Sequence, residues 1–135
     1  MTNEEMLAMV EKLYAAAGQG DFDAAEEMLT DDLVIREAAG LPFEGTFTGR
    51  TALRELSAKV FGMMEIASLE RVATTVGGDH AVAIAAFHFA DPQLKPAELC
   101  EMFRFRDGKV CEIKPYYFEP QTVVDACEAF ARKKA

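Results

Sequence analysis

The first half of the chain has the hydrophobic spacing of helices. Its apolar positions recur every three or four residues, at Met6, Val10, Leu13 and Ala17. This spacing predicts an amphipathic helix. Thr2 and Glu5 have the arrangement of a capping box ahead of it, and Gly18 and Gly20 stand where the helix should stop.

Three shorter elements are predicted before the middle of the chain. A second helix opens at Asp21, where an acidic residue suits the positive pole, and ends near Leu29. Residues 33–37 have the composition of a short strand. A glycine-rich loop, residues 38–49, then leads to a third helix of about residues 50–61.

The second half alternates with the two-residue period of strands. Residues 67–76 and 80–90 meet at a glycine turn, and residues 98–106 and 109–118 meet at Asp107-Gly108, a strong hairpin signal. Pro120 ends the sheet, and residues 121–134 form a last amphipathic helix. Helices followed by an antiparallel meander predict an α+β fold in one domain, residues 1–135.

Composition narrows the function classes. The 135 residues are 50% hydrophobic, enough for a packed core, and carry a net charge of −9. This charge disfavours nucleic acid and anionic membranes as partners. The acidic, polar start is unlike a signal peptide, and no apolar run is long enough to span a membrane. The three cysteines, odd in number and without CxxC spacing, indicate a reduced, cytoplasmic setting. Two His and three unclustered Cys predict neither a metal site nor a cofactor.

Three stretches of sequence, in this order, resemble the nuclear transport factor two-like superfamily in its SnoaL-like and ketosteroid isomerase-like branch. They are YAAAGQGDFDA from residue 14 with TDDLV from residue 30, GLPFEGTFTGRTAL from residue 40, and FRFRDGKV from residue 103, which runs into EIKPYY from residue 112. The resemblance implies a cone-shaped barrel in which a curved, mainly antiparallel sheet wraps around N-terminal helices. It also implies a pocket for an apolar small molecule and a homodimer formed through the sheet. The helix of residues 121–134 is then a C-terminal addition.

Two carboxylates share strand faces with apolar residues. Glu37 follows Leu33 and Ile35 at two-residue intervals, and Glu101 alternates with Leu99 and Phe103. Burial among apolar side chains favours the neutral carboxyl, which is how proteins prepare a general acid or base near neutral pH.

The resemblance assigns roles to these carboxylates. Matching the family pattern places Glu37 at the position that abstracts the proton in the isomerases. It places Glu101 at the position of the neutral acid that holds the enolate oxygen. Ketosteroid isomerase is a standard example of how a protein tunes the pKa of such carboxyls. The partner tyrosine position falls on Leu13, and Tyr14 is one residue away. One residue is about 100° around a helix, so Tyr14, the catalytic tyrosine candidate, is expected to point in a different direction from Leu13.

A purely structural role for Glu101 is the alternative. If Asp107-Gly108 is a regular two-residue turn, Glu101 lies opposite Lys114, and the two form an ordinary cross-strand ion pair. A bulge in the hairpin would break this pairing.

The remaining candidates are expected to line the cone. His88 lies on the face of Val82 and Ile84, where a core or interface role is the simpler interpretation. The expected ligand-binding residues are Leu13, Phe43, Phe61, His88, Phe103, Tyr116 and Tyr117.

The leading hypothesis is an acid–base isomerase, cyclase or lyase acting on an apolar carbonyl compound. In the rival hypothesis the same cone only sequesters a ligand, or the domain serves dimerisation or protein interaction. The C-terminal helix is expected to cover the cone mouth or reach a partner subunit, since its apolar stripe of Val123, Cys127 and Phe130 must be buried.

Overall fold

Six strands form one curved sheet that wraps around helices without closing. The computed structural model describes residues 1–135, and the strand order is β2-β1-β6-β5-β4-β3. The elements in chain order are α1 (Asn3–Gly18), α2 (Phe22–Glu26), β1 (Leu29–Glu37), β2 (Gly45–Thr48), α3 (Ala52–Phe61), β3 (Ile66–Gly77), β4 (His80–Phe89), β5 (Ala97–Arg106), β6 (Lys109–Tyr117) and α4 (Pro120–Lys134). The β1–β6 pair is parallel and all other pairs are antiparallel. The predicted α+β cone is confirmed.

The first helix forms as its sequence predicts. Thr2 and Glu5 make both hydrogen bonds of the capping box, at 2.7 and 3.1 Å. The inward face of α1 packs into the concave side of the sheet through Met6, Val10, Leu13 and Ala16. Burying each of the three larger side chains, Met6, Val10 and Leu13, contributes about 1.5–3 kcal/mol, so α1 is fixed firmly in the cone.

One strand and two boundaries differ from the sequence prediction. Strand β2 lies inside the predicted glycine-rich loop, where Phe47 pairs with Ile35 of β1. Helix α2 ends at Glu26, and β1 begins at Leu29, because Leu29 is fully buried against Val110 of β6.

Two bulges decide which side chains enter the cone. In β3 the register shifts between Arg71 and Ala73, so that Val72 is an extra residue and is 65% exposed. In β6 the register shifts so that Cys111 has no partner on β5. Since side chains alternate along a strand, each extra residue reverses the faces beyond it.

Helix α4 packs its apolar stripe onto the core. Val123 is fully buried, and Ala126 joins the same core cluster as α1 and the sheet. The helix begins with Pro120 at its first turn, a position that suits proline. No helix of the protein is both long and apolar enough to cross a membrane.

Candidate functional site

Tyr14 and Glu101 meet inside the cone. The Tyr14 hydroxyl donates a hydrogen bond of 2.5 Å to Oε1 of Glu101. The ring of Tyr14 also packs edge-on against Phe103, two residues along β5, with centroids 5.7 Å apart. Leu13 points into the apolar core and is 3% exposed. Tyr14, rather than Leu13, therefore presents its side chain to Glu101.

Glu101 has no lysine partner. The Cys111 bulge shifts β6 by one residue, so that Glu101 lies opposite Pro115 and Lys114 lies opposite Met102. Lys114 consequently projects from the outer face, where its Nζ is 5.3 Å from the ring of Tyr116. The cross-strand ion pair between Glu101 and Lys114, which the sequence left open, is therefore absent because the hairpin contains a bulge.

Glu37 ends β1 on the same concave face. Its Oε1 is buried and has no hydrogen-bond partner. Burial, and then the negative charge of Glu101, raise the pKa of Glu37 from 4.5 to about 8. A carboxyl in this setting holds its proton at neutral pH and releases it under mildly basic conditions.

The pKa of Glu101 is raised as well, by burial, while the hydrogen bond from Tyr14 acts in the opposite direction. The pKa of Tyr14 is raised well above its usual range by burial and by Glu101. Tyr14 therefore remains a hydroxyl donor across the accessible pH range. Two nearby carboxyls with raised pKa values titrate as a pair, and the pair retains a proton at neutral pH.

Tyr117 lies near both carboxyls, and Cys127 of α4 lies near Tyr117. Burial raises the pKa of Tyr117, followed by the charges of Glu37 and Glu101 and by Cys127 of α4. Burial also raises the pKa of the Cys127 thiol. The tyrosine was expected in the cone. The thiol was not, although its place on the apolar stripe of α4 was the available signal.

Two of the ligand-binding candidates lie on the outer face of the sheet. His88 pairs across to Ser68, and its Nε2 is 2.9 Å from Oε1 of Glu70. Tyr116 is 52% exposed. The reason is alternation: β4 turns Ala81, Ala83 and Ala85 inward, and these residues pair with the inward-facing positions of β5. The structure corrects the expectation for both side chains.

The other candidates divide between core and surface. Phe43, at 1% exposed, and Phe103, at 3%, belong with Leu13 to the buried core. Phe61, at the end of α3, is 62% exposed and lines no interior wall.

One hollow on the surface lies away from the carboxyl pair. It measures about 690 Å³ and lies between α4 and the β4–β5 connection, with Phe89, Leu94 and Phe130 among its walls. Its rim carries an exposed Lys133–Glu65 ion pair. We place the candidate site at the carboxyls, because exposed ion pairs are common surface features whereas a buried unpartnered carboxyl is rare.

The arrangement suits proton transfer. Glu37 can exchange a proton near neutral pH, and Tyr14 with Glu101 offers donors to an oxygen that gains negative charge. Three or more His, Cys, Asp or Glu side chains do not gather anywhere as a metal site would require.

Comparisons with known proteins agree with the fold. A family model described as a SnoaL-like domain matches residues 10–113. No curated protein matches the sequence significantly.

Solved structures of low identity cover nearly the whole chain. A nuclear transport factor two-like protein from Burkholderia xenovorans has a TM-score of 0.80 at 22% identity, over 94% of this chain and 98% of that one. Bal32a, from a soil-derived mobile gene cassette, has a TM-score of 0.80 at 16% identity, over 93% and 98%. TerC, co-crystallised with polyporic acid, has a TM-score of 0.78 at 14% identity, over 92% and 98%. At these identities the similarity shows the fold alone.

Proposed function

The chain belongs to the SnoaL-like domain family of the nuclear transport factor two-like superfamily, and we propose that it transfers a proton on an apolar carbonyl compound. The reaction class is isomerisation, cyclisation or elimination through an enolate. One observation carries the proposal: the buried, unpartnered Oε1 of Glu37, with its pKa raised to about 8, beside the Tyr14–Glu101 hydrogen bond.

Each side chain has a distinct role in this proposal. Glu37, when ionised, removes a proton from the carbon next to the carbonyl group. The carbonyl oxygen becomes negative and accepts hydrogen bonds from Tyr14 and from protonated Glu101. The reactive form thus has Glu37 ionised and Glu101 neutral. Glu37 then returns the proton to the substrate.

The TerC structure supports a small-molecule ligand, since a protein of this fold was co-crystallised with polyporic acid. The apolar walls around the carboxyls, which include Ile35 and Phe103, favour an apolar compound over a charged one.

Deuterium exchange tests the proposal without knowledge of the natural substrate. The purified protein is incubated in D2O with a panel of cyclic enones and 1,3-diketones, and loss of the α-hydrogen signal is followed by proton NMR. We expect the protein to accelerate exchange of at least one compound and Glu37→Gln to abolish the acceleration. The matched control is Glu44→Gln, an exposed glutamate in the loop before β2. Equal rates for wild type and Glu37→Gln would refute the role of Glu37.

Ligand sequestration is the second candidate, and one observation favours it. The Tyr14 hydroxyl is already engaged by Glu101, so it is not free to hold a substrate oxygen until that hydrogen bond opens. In this case panel compounds should bind, as seen by ligand-observed NMR, while their exchange rates stay at those of buffer.

We further propose a homodimer formed through the outer face of the sheet. That face exposes Val72, Ile84 and Tyr116, at 65%, 41% and 52%, whereas isolated soluble domains rarely expose large continuous apolar patches. We also propose that the chain is a single domain that works in a reducing, cytoplasmic setting. The three free cysteines support the reducing setting.

A further inference from the structure

Arg71 lies against the face of the Tyr14 ring. Its Cζ is 4.6 Å from the Tyr14 ring centroid. Both terminal nitrogens of the guanidinium donate to Glu11, Nη1 to Oε1 at 2.6 Å and Nη2 to Oε2 at 2.5 Å. A continuous set of contacts therefore joins exposed Glu11 to enclosed Glu101 through Arg71 and Tyr14.

Two local features of the sequence bring Arg71, Glu11 and Tyr14 together: a bulge in β3 and the spacing of two residues on α1. The bulge at Val72 follows Arg71 directly, and it leaves Arg71 opposite Ala85 while Thr74 lies opposite Ala83, so that both face the cone. Without the extra residue, one of the two would point outward. Glu11 stands three residues before Tyr14 on α1, a spacing that brings both side chains to one side of the helix.

The geometry fixes the arginine and, through it, the tyrosine. A guanidinium held by two parallel hydrogen bonds to one carboxylate loses most of its rotational freedom. The side chain is 29% exposed, so solvent competes only partly with these contacts. A cation over a ring face attracts the ring and strengthens the phenol as a donor. In agreement, the charge of Arg71 lowers the pKa of Tyr14, against the larger effect of burial.

We propose that Arg71, fixed by Glu11, is a positioning residue that holds the Tyr14 ring so that its hydroxyl donates to Glu101. Its importance for turnover rests on the proposed function, but the positioning itself is tested without any substrate.

The test follows the titration of Glu101 by carbon-detected NMR of its side-chain carboxyl. The titratable groups around Glu101 are Tyr14 from α1, Glu37 from β1 and Tyr117 from β6. In Arg71→Met the Tyr14 ring is released, the donor that favours ionised Glu101 is weakened, and the titration of Glu101 shifts to higher pH. In Arg71→Lys the positive charge remains but the two parallel hydrogen bonds to Glu11 are lost, and we expect a smaller shift of the Glu101 titration.

A double variant separates positioning from simple charge removal. If Arg71 acts through Tyr14, Arg71→Met adds no shift in a Tyr14→Phe background. If its charge acted directly on Glu101, the shift would persist in that background, and the proposal would be overturned.

A matched control exists elsewhere in the chain. Arg54 also grips a carboxylate at two points, Glu26 at 2.9 and 3.0 Å, and its Cζ is 5.8 Å from the ring centroid of Phe22. Arg54→Met should leave the Glu101 titration unchanged. Glu11→Gln provides a milder variant should Arg71→Met unfold, and it must shift Glu101 in the same direction; no shift would overturn the proposal.

The outcome is independent of the catalytic proposal. A Glu101 shift without any exchange activity would support the positioning role and count against the enzyme. Where exchange activity is found, we expect Arg71→Met to lower kcat by up to about 100-fold with little change in KM, the size of effect that misplacement of a reacting group produces.

Discussion

Replacing Glu37 by glutamine should stabilise the protein, and the gain should depend on pH. The folded-state pKa of Glu37 is about 8, against an ordinary value of 4.5. A group with a raised folded pKa contributes its full stability below pH 4.5, where it is protonated in both states. That stability is lost as the pH rises through about 8, because the unfolded chain ionises first.

The size of the effect follows from the shift. At ~1.4 kcal/mol for each pKa unit, the loss amounts to about 3 kcal/mol at pH 7 and approaches about 5 kcal/mol above pH 8. Glutamine carries no charge at any of these pH values and avoids the loss. Glu37→Gln should therefore equal wild type at pH 4 and exceed it in unfolding free energy by about 3 kcal/mol at pH 7.

Urea unfolding at half-unit steps between pH 4 and pH 9 measures this difference. Urea is preferable to guanidinium because it does not screen charges. Glu44→Gln is the control, since that glutamate is exposed, and its difference from wild type should stay flat. A flat difference for Glu37→Gln as well would refute the reasoning that Glu37 is a buried, neutral carboxyl at pH 7.

Four further outcomes are expected. Exchange activity should fall as the pH rises through about 8, because the reactive form needs one proton on the carboxyl pair and the last proton is lost there; an activity that rises up to pH 8 and stays level above it in NMR exchange assays would contradict the need for a protonated Glu101. Tyr14→Phe should cost about 1.5–3 kcal/mol in urea unfolding, because it removes a hydrogen bond to a charged group; an unchanged midpoint contradicts this. Ile84→Glu should reduce a dimer to the 14.8 kDa monomer in light scattering, and a wild type that is already monomeric would exclude the dimer. Deleting residues 120–135 should lower the melting temperature, because fully buried Val123 is lost, and it should also weaken ligand retention or the dimer. A lower melting temperature with the ligand and dimer unchanged would mean that α4 only packs against the outside of the core.

Local patterns were sufficient to predict most of the fold. The capping box of α1 and the turn at Asp107-Gly108 are short-range signals, and the positive φ angles of both turn residues, 53° and 78°, match the hairpin that the dipeptide predicts. Strand β2 escaped prediction because it has four residues and Phe47 is its only large apolar side chain. Its stability comes from pairing with β1, which no local pattern encodes.

The bulges explain what the sequence could not reveal about the site. Counting back from Asp107-Gly108 gives Lys114 as the partner of Glu101 only if the hairpin is regular, and the extra residue at Cys111 shifts the partner to Pro115. The same holds for Arg71, whose inward direction depends on the bulge at Val72. Packing against both faces of the sheet determines where a bulge forms, so its position cannot be predicted from the local sequence alone.

The carboxyl pair differs physically from every other charged contact in the chain. The arginine and lysine ion pairs, such as Arg54 with Glu26 and Lys133 with Glu65, have at least one partner well exposed to solvent and contribute little to stability. Glu37 has no cation beside it, and it costs stability at neutral pH because its burial and the charge of Glu101 on β5 both oppose its ionisation. A scaffold whose purpose was folding or dimerisation would be more stable with glutamine at position 37. Retaining an acid there makes sense if the proton of Glu37 is used, either to move between atoms of a ligand or to bind one.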